Sequence, residues 1–162
     1  MRIIKDDKVV EDGWVRITSV EAGQAVPDGD IILPFRYWKE NRASLETRKG
    51  NTAVCLNGED RIADIVNDLD KFSLIALDFP LFKDGRCYSH ARLLRDRYGY
   101  KGDIRAVGDV LRDQLFFMKR CGISSFHIRS DKDIADALNS FKDFSVKYQT
   151  AADRAPPVYK LR

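Results

Sequence analysis

Short apolar runs alternate with longer stretches whose apolar residues fall three or four apart. The runs at 31–33, 53–56, 73–77, 104–107 and 125–128 each read as a strand. The third is apolar on both faces, as expected of a strand covered on both sides. The spacing predicts helices at about 35–48, 62–69, 89–98, 109–120 and from 130 onward. The second has the clearest stripe, with Ile62, Ile65, Val66 and Leu69 on one face. In the third, Ala91, Leu94 and Tyr98 point inward and Gly99 ends the helix. Leu111, Leu115 and Met118 form the inner face of the fourth. The last opens at 130–133 with capping-box spacing and buries Ile134, Leu138 and Phe141.

Before residue 30 the rhythm differs. RIIKDDKVVEDGWVRI alternates apolar and polar positions around a turn at Asp6 and Asp7, which predicts a β-hairpin. EAGQAVPDGD is a turn cluster. The expected division is a hairpin and loop at 1–29, an α/β domain at 30–146, and an extended tail at 147–162 that carries Pro156 and Pro157. Five β-α units with helical crossovers imply a mainly parallel sheet with right-handed connections. Two architectures fit: an open doubly wound sheet and an incomplete, TIM-barrel-like arrangement. The likeness of successive units and the lack of a visible strand-order switch favour the curved one. A half-barrel would leave an open edge, which suggests a homo-oligomer.

The chain has 162 residues, the length of one domain, with 44% hydrophobic and 33% charged residues. That balance is ordinary for a folded soluble domain and argues against disorder. A net charge of +3 and a pI near 8.7 do not point to nucleic acid, because acidic residues are scattered among the basic ones. No run of about 18 apolar residues is present, so no membrane span is expected. The charged start argues against a secretory signal. The three cysteines, Cys55, Cys87 and Cys121, form no C-x-x-C pair, which fits reduced thiols and a cytoplasmic location.

Parallel α/β sheets bind ligands at the carboxyl ends of their strands. That rule selects Asp78, Asp84, Arg86 and Ser89 after the third strand, Arg105 and Asp109 on and after the fourth, and His127 on the fifth. Arg86 and Arg105, near helix starts at Ser89 and Asp109, would hold an oxyanion through their planar N–H forks, with Asp78 orienting it. His127 and Asp84 are the candidate acid–base pair. The alternative is that each arginine pairs with a neighbouring aspartate. Cys87, beside Arg86 and a helix start, has the surroundings that lower a thiol pKa. There is no P-loop, no dinucleotide fingerprint, no zinc motif and no cysteine cluster for an iron–sulfur centre. The motifs therefore leave any cofactor unassigned and give no metal site.

Several short words in the second half recur in a fixed order: Asp78-Phe79-Pro80 with Phe82, Asp84-Gly85-Arg86, Tyr88-Ser89 with Ala91, and Leu93-Leu94-Arg95. Tyr100 with Gly102, Arg105-Ala106, Gly108-Asp109-Val110, Asp113-Gln114-Leu115, Arg120 with Gly122, and Phe126 follow. In the tail come Tyr148-Gln149, Asp153 and Arg162. This set resembles a bacterial family of uncharacterised proteins described as oxidoreductases involved in sulfite reduction, whose genes lie beside the sulfite reductase gene. The likeness is strong over the C-terminal half and weak over the first seventy residues. Cys87 stands where the family pattern has glycine. The resemblance implies a role in sulfur assimilation and sulfite reductase as a partner.

Overall fold

The computed structural model describes residues 1–20, 26–153 and 156–160. Part of the turn cluster at 21–30, part of the tail and the closing Arg162 lie outside the described residues.

Among the described residues, eight strands form one sheet: β1 (Arg2–Lys5), β2 (Lys8–Glu11), β3 (Val15–Arg16), β4 (Ile31–Pro34), β5 (Thr52–Leu56), β6 (Leu74–Phe79), β7 (Asp103–Gly108) and β8 (Ser125–Phe126). Their spatial order is β2-β1-β8-β7-β6-β5-β4-β3. From β3 to β8 every neighbouring pair is parallel and in chain order. The hairpin β1–β2 turns at Asp6 and Asp7, both in the left-handed region with φ of 51° and 56°, as a two-residue hairpin turn requires. β1 then pairs antiparallel with β8. Residues 1–20 thus extend both edges of the sheet.

That order forces curvature. Laid flat, eight strands at about 4.8 Å spacing would hold β2 and β3 roughly 34 Å apart. Only residues 12–14 join them, and such a link reaches at most about 14 Å. Two antiparallel pairings make β2 parallel to β8, so the link also runs from the carboxyl end of β2 to the amino end of β3. The sheet is therefore a curled half-barrel, and residues 12–14 cross its hollow side as a strap.

The two faces differ accordingly. The convex face carries the helices and the large core, including Ile4, Leu33, Val54, Ile75, Leu77 and Phe126. The concave face has a small apolar floor of Ile32, Ala53, Leu74, Ala76 and Val107, against which Trp14 and Cys55 pack. Cys55, Ala76, Arg105, Ser125 and Lys5 lie side by side in register across five strands. The small side chain at Ala76 leaves room for its long neighbours.

The helical layer departs from the sequence reading. The 35–48 segment is two short helices, α1 (Phe35–Glu40) and α2 (Arg42–Leu45). The strongest stripe, at 62–69, forms no α-helix; it becomes 3₁₀ turns at Ile62–Asp64 and Val66–Lys71. Its β-branched Ile62, Ile65 and Val66 and its Asn67 and Asp68 are poor helix formers, no side chain caps its start, and a 3₁₀ turn also brings i and i+3 together. The expectation of five β-α units therefore needs correction. The β5–β6 crossover lacks an α-helix, and β3 is an additional parallel strand.

Helix α3 (Arg86–Arg92) begins three residues earlier than expected and passes into a π-helical turn at Leu93–Arg97. The fourth helix is a 3₁₀ turn, Arg112–Gln114, followed by α4 (Leu115–Arg120). The last is α5 (Ile134–Asn139), capped by Asp133 through its bond from the Ala135 N–H rather than by Ser130. The tail is tied to the domain where the Ala152 N–H donates to the Arg120 carbonyl, and it turns back on itself where the Val158 N–H donates to the Lys147 carbonyl.

Candidate functional site

Strand alternation decides which polar side chains meet. On β7, Asp103 and Arg105 point to the concave side, and Ser125 does so from β8; His127, expected on that strand, lies just past its end, with its N–H donating to the Ala106 carbonyl. The strap adds Asp12, and β3 adds Arg16. At the amino end Asp103 accepts from Ser124 Oγ (2.5 Å), Ser125 Oγ (2.9 Å) and Lys5 Nζ (3.3 Å). Arg105 Nη1 donates to Asp12 Oδ2 at 2.8 Å and its Nε to Ser125 Oγ at 3.2 Å. The Arg105 and Asp12 side chains are 3% and 4% exposed, so their charges have left water together.

Toward the carboxyl end, Arg16 Nη2 donates to Asp78 Oδ1 at 2.9 Å. The Cys55 thiol lies 3.9 Å from the same nitrogen, and the Cys87 thiol donates to the Asp78 carbonyl at 3.2 Å. His127 sits half-buried between the two groups. Burial, Arg16 and Arg105 hold its pKa below the ordinary value, against the pull of Asp12.

Gly108 locks β6 to β7 at this end. Its φ is +97°, and a Cβ there would stand 2.5 Å from the Phe79 carbonyl oxygen and 2.7 Å from Asp78 Oδ1. Only glycine accepts both the left-handed backbone and that approach.

The remaining candidate residues lie on the rim. Arg86 is held by its neighbour Asp84 through Nε at 3.0 Å and Nη2 at 2.8 Å, with Glu59 3.7 Å away. The guanidinium beside it brings the Asp84 carboxyl down to about 2. Asp109 accepts from Arg129 Nη1 at 2.7 Å, and Arg129 also binds Asp131. Asp109 lies in the loop after β7 and Ser89 is exposed within α3, so neither caps a helix.

Arg86 and Arg105 share no partner. Arg105 points into the hollow from mid-strand, whereas Arg86 opens a helix of the outer layer. The structure instead brings Arg105 together with Asp12 and His127, and Asp78 together with Arg16. Asp12, Trp14 and Arg16 escaped the sequence reading because the strap reads as a continuation of the hairpin. The one available sign was the Asp12-Gly13 break in its alternation.

The thiols are less reactive than their neighbours in sequence suggest. Burial, with Asp84 and Asp78, pushes Cys87 up to about 12, and burial pushes Cys55 to about 12 as well. The Arg86 charge is a minor opposing influence at Cys87 because Asp84 neutralises it. Iodoacetamide at pH 8 is therefore expected to label Cys55 and Cys87 only after denaturation. Mass spectrometry of the native and unfolded chain checks this, and rapid native labelling of Cys87 would contradict the environment described.

His127 predicts a pH effect. A histidine with a lowered folded-state pKa binds its proton more readily when unfolded. Its contribution is flat above the unfolded value of about 6.5 and falls as the pH drops toward the folded value. His90 is shifted the same way, mainly by burial. Urea unfolding between pH 7.5 and 5 should show a slope that His127→Gln reduces and that His127→Gln with His90→Gln reduces further. An unchanged slope in both variants would place its origin elsewhere.

Among the described residues, no group of three or more histidine, cysteine, aspartate or glutamate side chains is placed to hold a metal, and no helix is long and apolar enough to cross a membrane. No curated protein matches the chain. The model of a bacterial family of unknown function, DUF934, matches residues 53–159, which takes in β5 to β8 and most of the rim. The chain belongs to that family.

Proposed function

We propose that the chain is a cytoplasmic accessory protein of assimilatory sulfite reduction that acts by binding sulfite reductase. The pairing of charges in and around the hollow carries this reading. Arg16, Arg86, Arg105 and Arg129 each engage a carboxylate, and the strap lays Trp14 on the concave floor and bonds Asp12 to Arg105. A surface so internally satisfied suits a protein that works through its outer face. The tie to sulfite reduction comes from the sequence words at 78–126, most of which are rim and core positions of β6 to β8.

The test is co-purification with the sulfite reductase of the same organism, together with growth of a deletion strain on sulfate or on cysteine. Recovery of the reductase and a growth defect on sulfate relieved by cysteine are expected. Normal growth on sulfate without recovery would overturn the reading.

A second reading, an oxyanion-binding module or small enzyme, is favoured by one observation. Arg16, Arg105 and His127 share the concave face, where the field of both guanidiniums reaches the imidazole. The carboxylates of Asp12 and Asp78 would then hold the place of the anion. Calorimetry with sulfite, sulfate and phosphate decides this. Tighter binding by Asp12→Asn that is lost in Arg105→Ala supports it, and no heat from either protein rejects it. An ultraviolet–visible spectrum of the purified chain tests the oxidoreductase form of the idea, through a flavin or haem band.

A further inference from the structure

We infer that the groove between α4 and residues 144–151 is a docking site for an acidic protein segment carrying an aromatic or aliphatic anchor. The inference rests on the accessory reading above and identifies the kind of partner segment. Helix α4 buries Leu115 and Met118, leaves Phe116 half-buried and exposes Phe117. Phe144 meets both rings, with centroids 4.8 and 6.1 Å away. Phe117, Phe144, Val146 and Tyr148 remain 54%, 52%, 57% and 83% exposed. Four large apolar side chains so exposed and contiguous mark an interaction surface. The groove they line has a volume of about 650 Å³.

Charge selects the occupant. The cations of the lining are Arg92, Arg120 and Lys147, and the lining contains no aspartate or glutamate. Asp96 and Asp153 offset Arg92 and Lys147 from outside it. Among the described residues no carboxylate pairs with Arg120, whose guanidinium bonds the Gln149 carbonyl and faces the Phe116 ring. A carboxylate from a partner would supply the missing charge. A second copy of this chain would set cations against cations across a two-fold axis. A membrane surface fits poorly, because the rings line a concavity and lipid binding calls for protruding side chains.

The test is selection from a displayed random-peptide library on the full chain, followed by anisotropy titration of one selected labelled peptide. Sequences joining Asp or Glu to Phe, Trp or Leu are expected. Phe117→Ser with Phe144→Ser should weaken binding by about tenfold or more, and Arg120→Glu should do likewise. Both phenylalanines are exposed, so the double variant should keep its circular dichroism spectrum and melting point. The inference is overturned if no sequence is enriched, if basic sequences are, or if the double variant binds as well as the parent. It is also overturned if the chain sediments as a dimer that Phe117→Ser dissociates, or if the same variant abolishes binding to phosphatidylglycerol vesicles. No sulfite reductase enters this experiment, so its failure removes the groove and leaves the co-purification result standing, and the converse holds.

Discussion

Asp12→Asn should cost about 3 kcal/mol of folding stability, the low end for a buried ion pair that loses one partner. The Arg105 charge would remain in the hollow with Ser125 Oγ at 3.2 Å and Asp103 at 3.7 Å, and with no direct carboxylate bond. Stability of a domain is typically about 5–15 kcal/mol, so this is a large share. The second half of the prediction separates the pair from its desolvation. Asp12→Leu combined with Arg105→Met removes both charges and should recover most of the loss. Urea midpoints for the two singles and the double complete the cycle. A loss under about 0.5 kcal/mol for Asp12→Asn would mean that solvent reaches Arg105 and that the strap is not anchored there.

Gly108→Ala is the second large effect, on the order of 3 kcal/mol, from a left-handed backbone and overpacking together. The new methyl would press on the Phe79 carbonyl and on the Asp78 carboxylate, so it would also disturb the bond from Arg16 to Asp78. Gly13→Ala provides the contrast. It lies in the strap, a Cβ there meets nothing within 4 Å, and the change should stay within about 0.5 kcal/mol or stabilise slightly. Equal effects at the two glycines would show that the φ and the close approach at Gly108 do not set its cost.

The parallel strands were legible because burial on both faces writes itself as continuous apolar runs, as at 74–77. Curvature was favoured by the likeness of successive units and by the lack of a strand-order switch, and the order β3 to β8 is indeed unbroken. Helices were read less well. A three-to-four spacing records which side chains face the sheet, and at 62–71 that demand is met by 3₁₀ turns. Asp109 and Ser89 resemble caps in sequence, yet a cap depends on where the backbone turns, and here the turns fall at Gln114 and Gly85. The concave network was out of reach. Asp12 and Arg105 are 93 positions apart, and Arg16 and Asp78 are 62 apart. Nothing local encodes such a meeting, since it depends on the whole sheet having curled.

The same closure sets an order of events for a growing chain. Ile4 lies opposite Phe126 in the sheet, so residues 1–11 leave the ribosome long before their neighbour exists. An isolated two-stranded hairpin is marginal in water, and this one must wait while β4 to β7 assemble beside one another. During that interval Arg105 has no Asp12 and the apolar floor has no Trp14, so the hollow stands open. Completion requires β8 to arrive, the hairpin to dock on it and the strap to settle, all through contacts distant in sequence, which are the slow ones to form. Folding helpers that shield the open hollow until β8 is free to pair would therefore raise how much chain reaches the closed form.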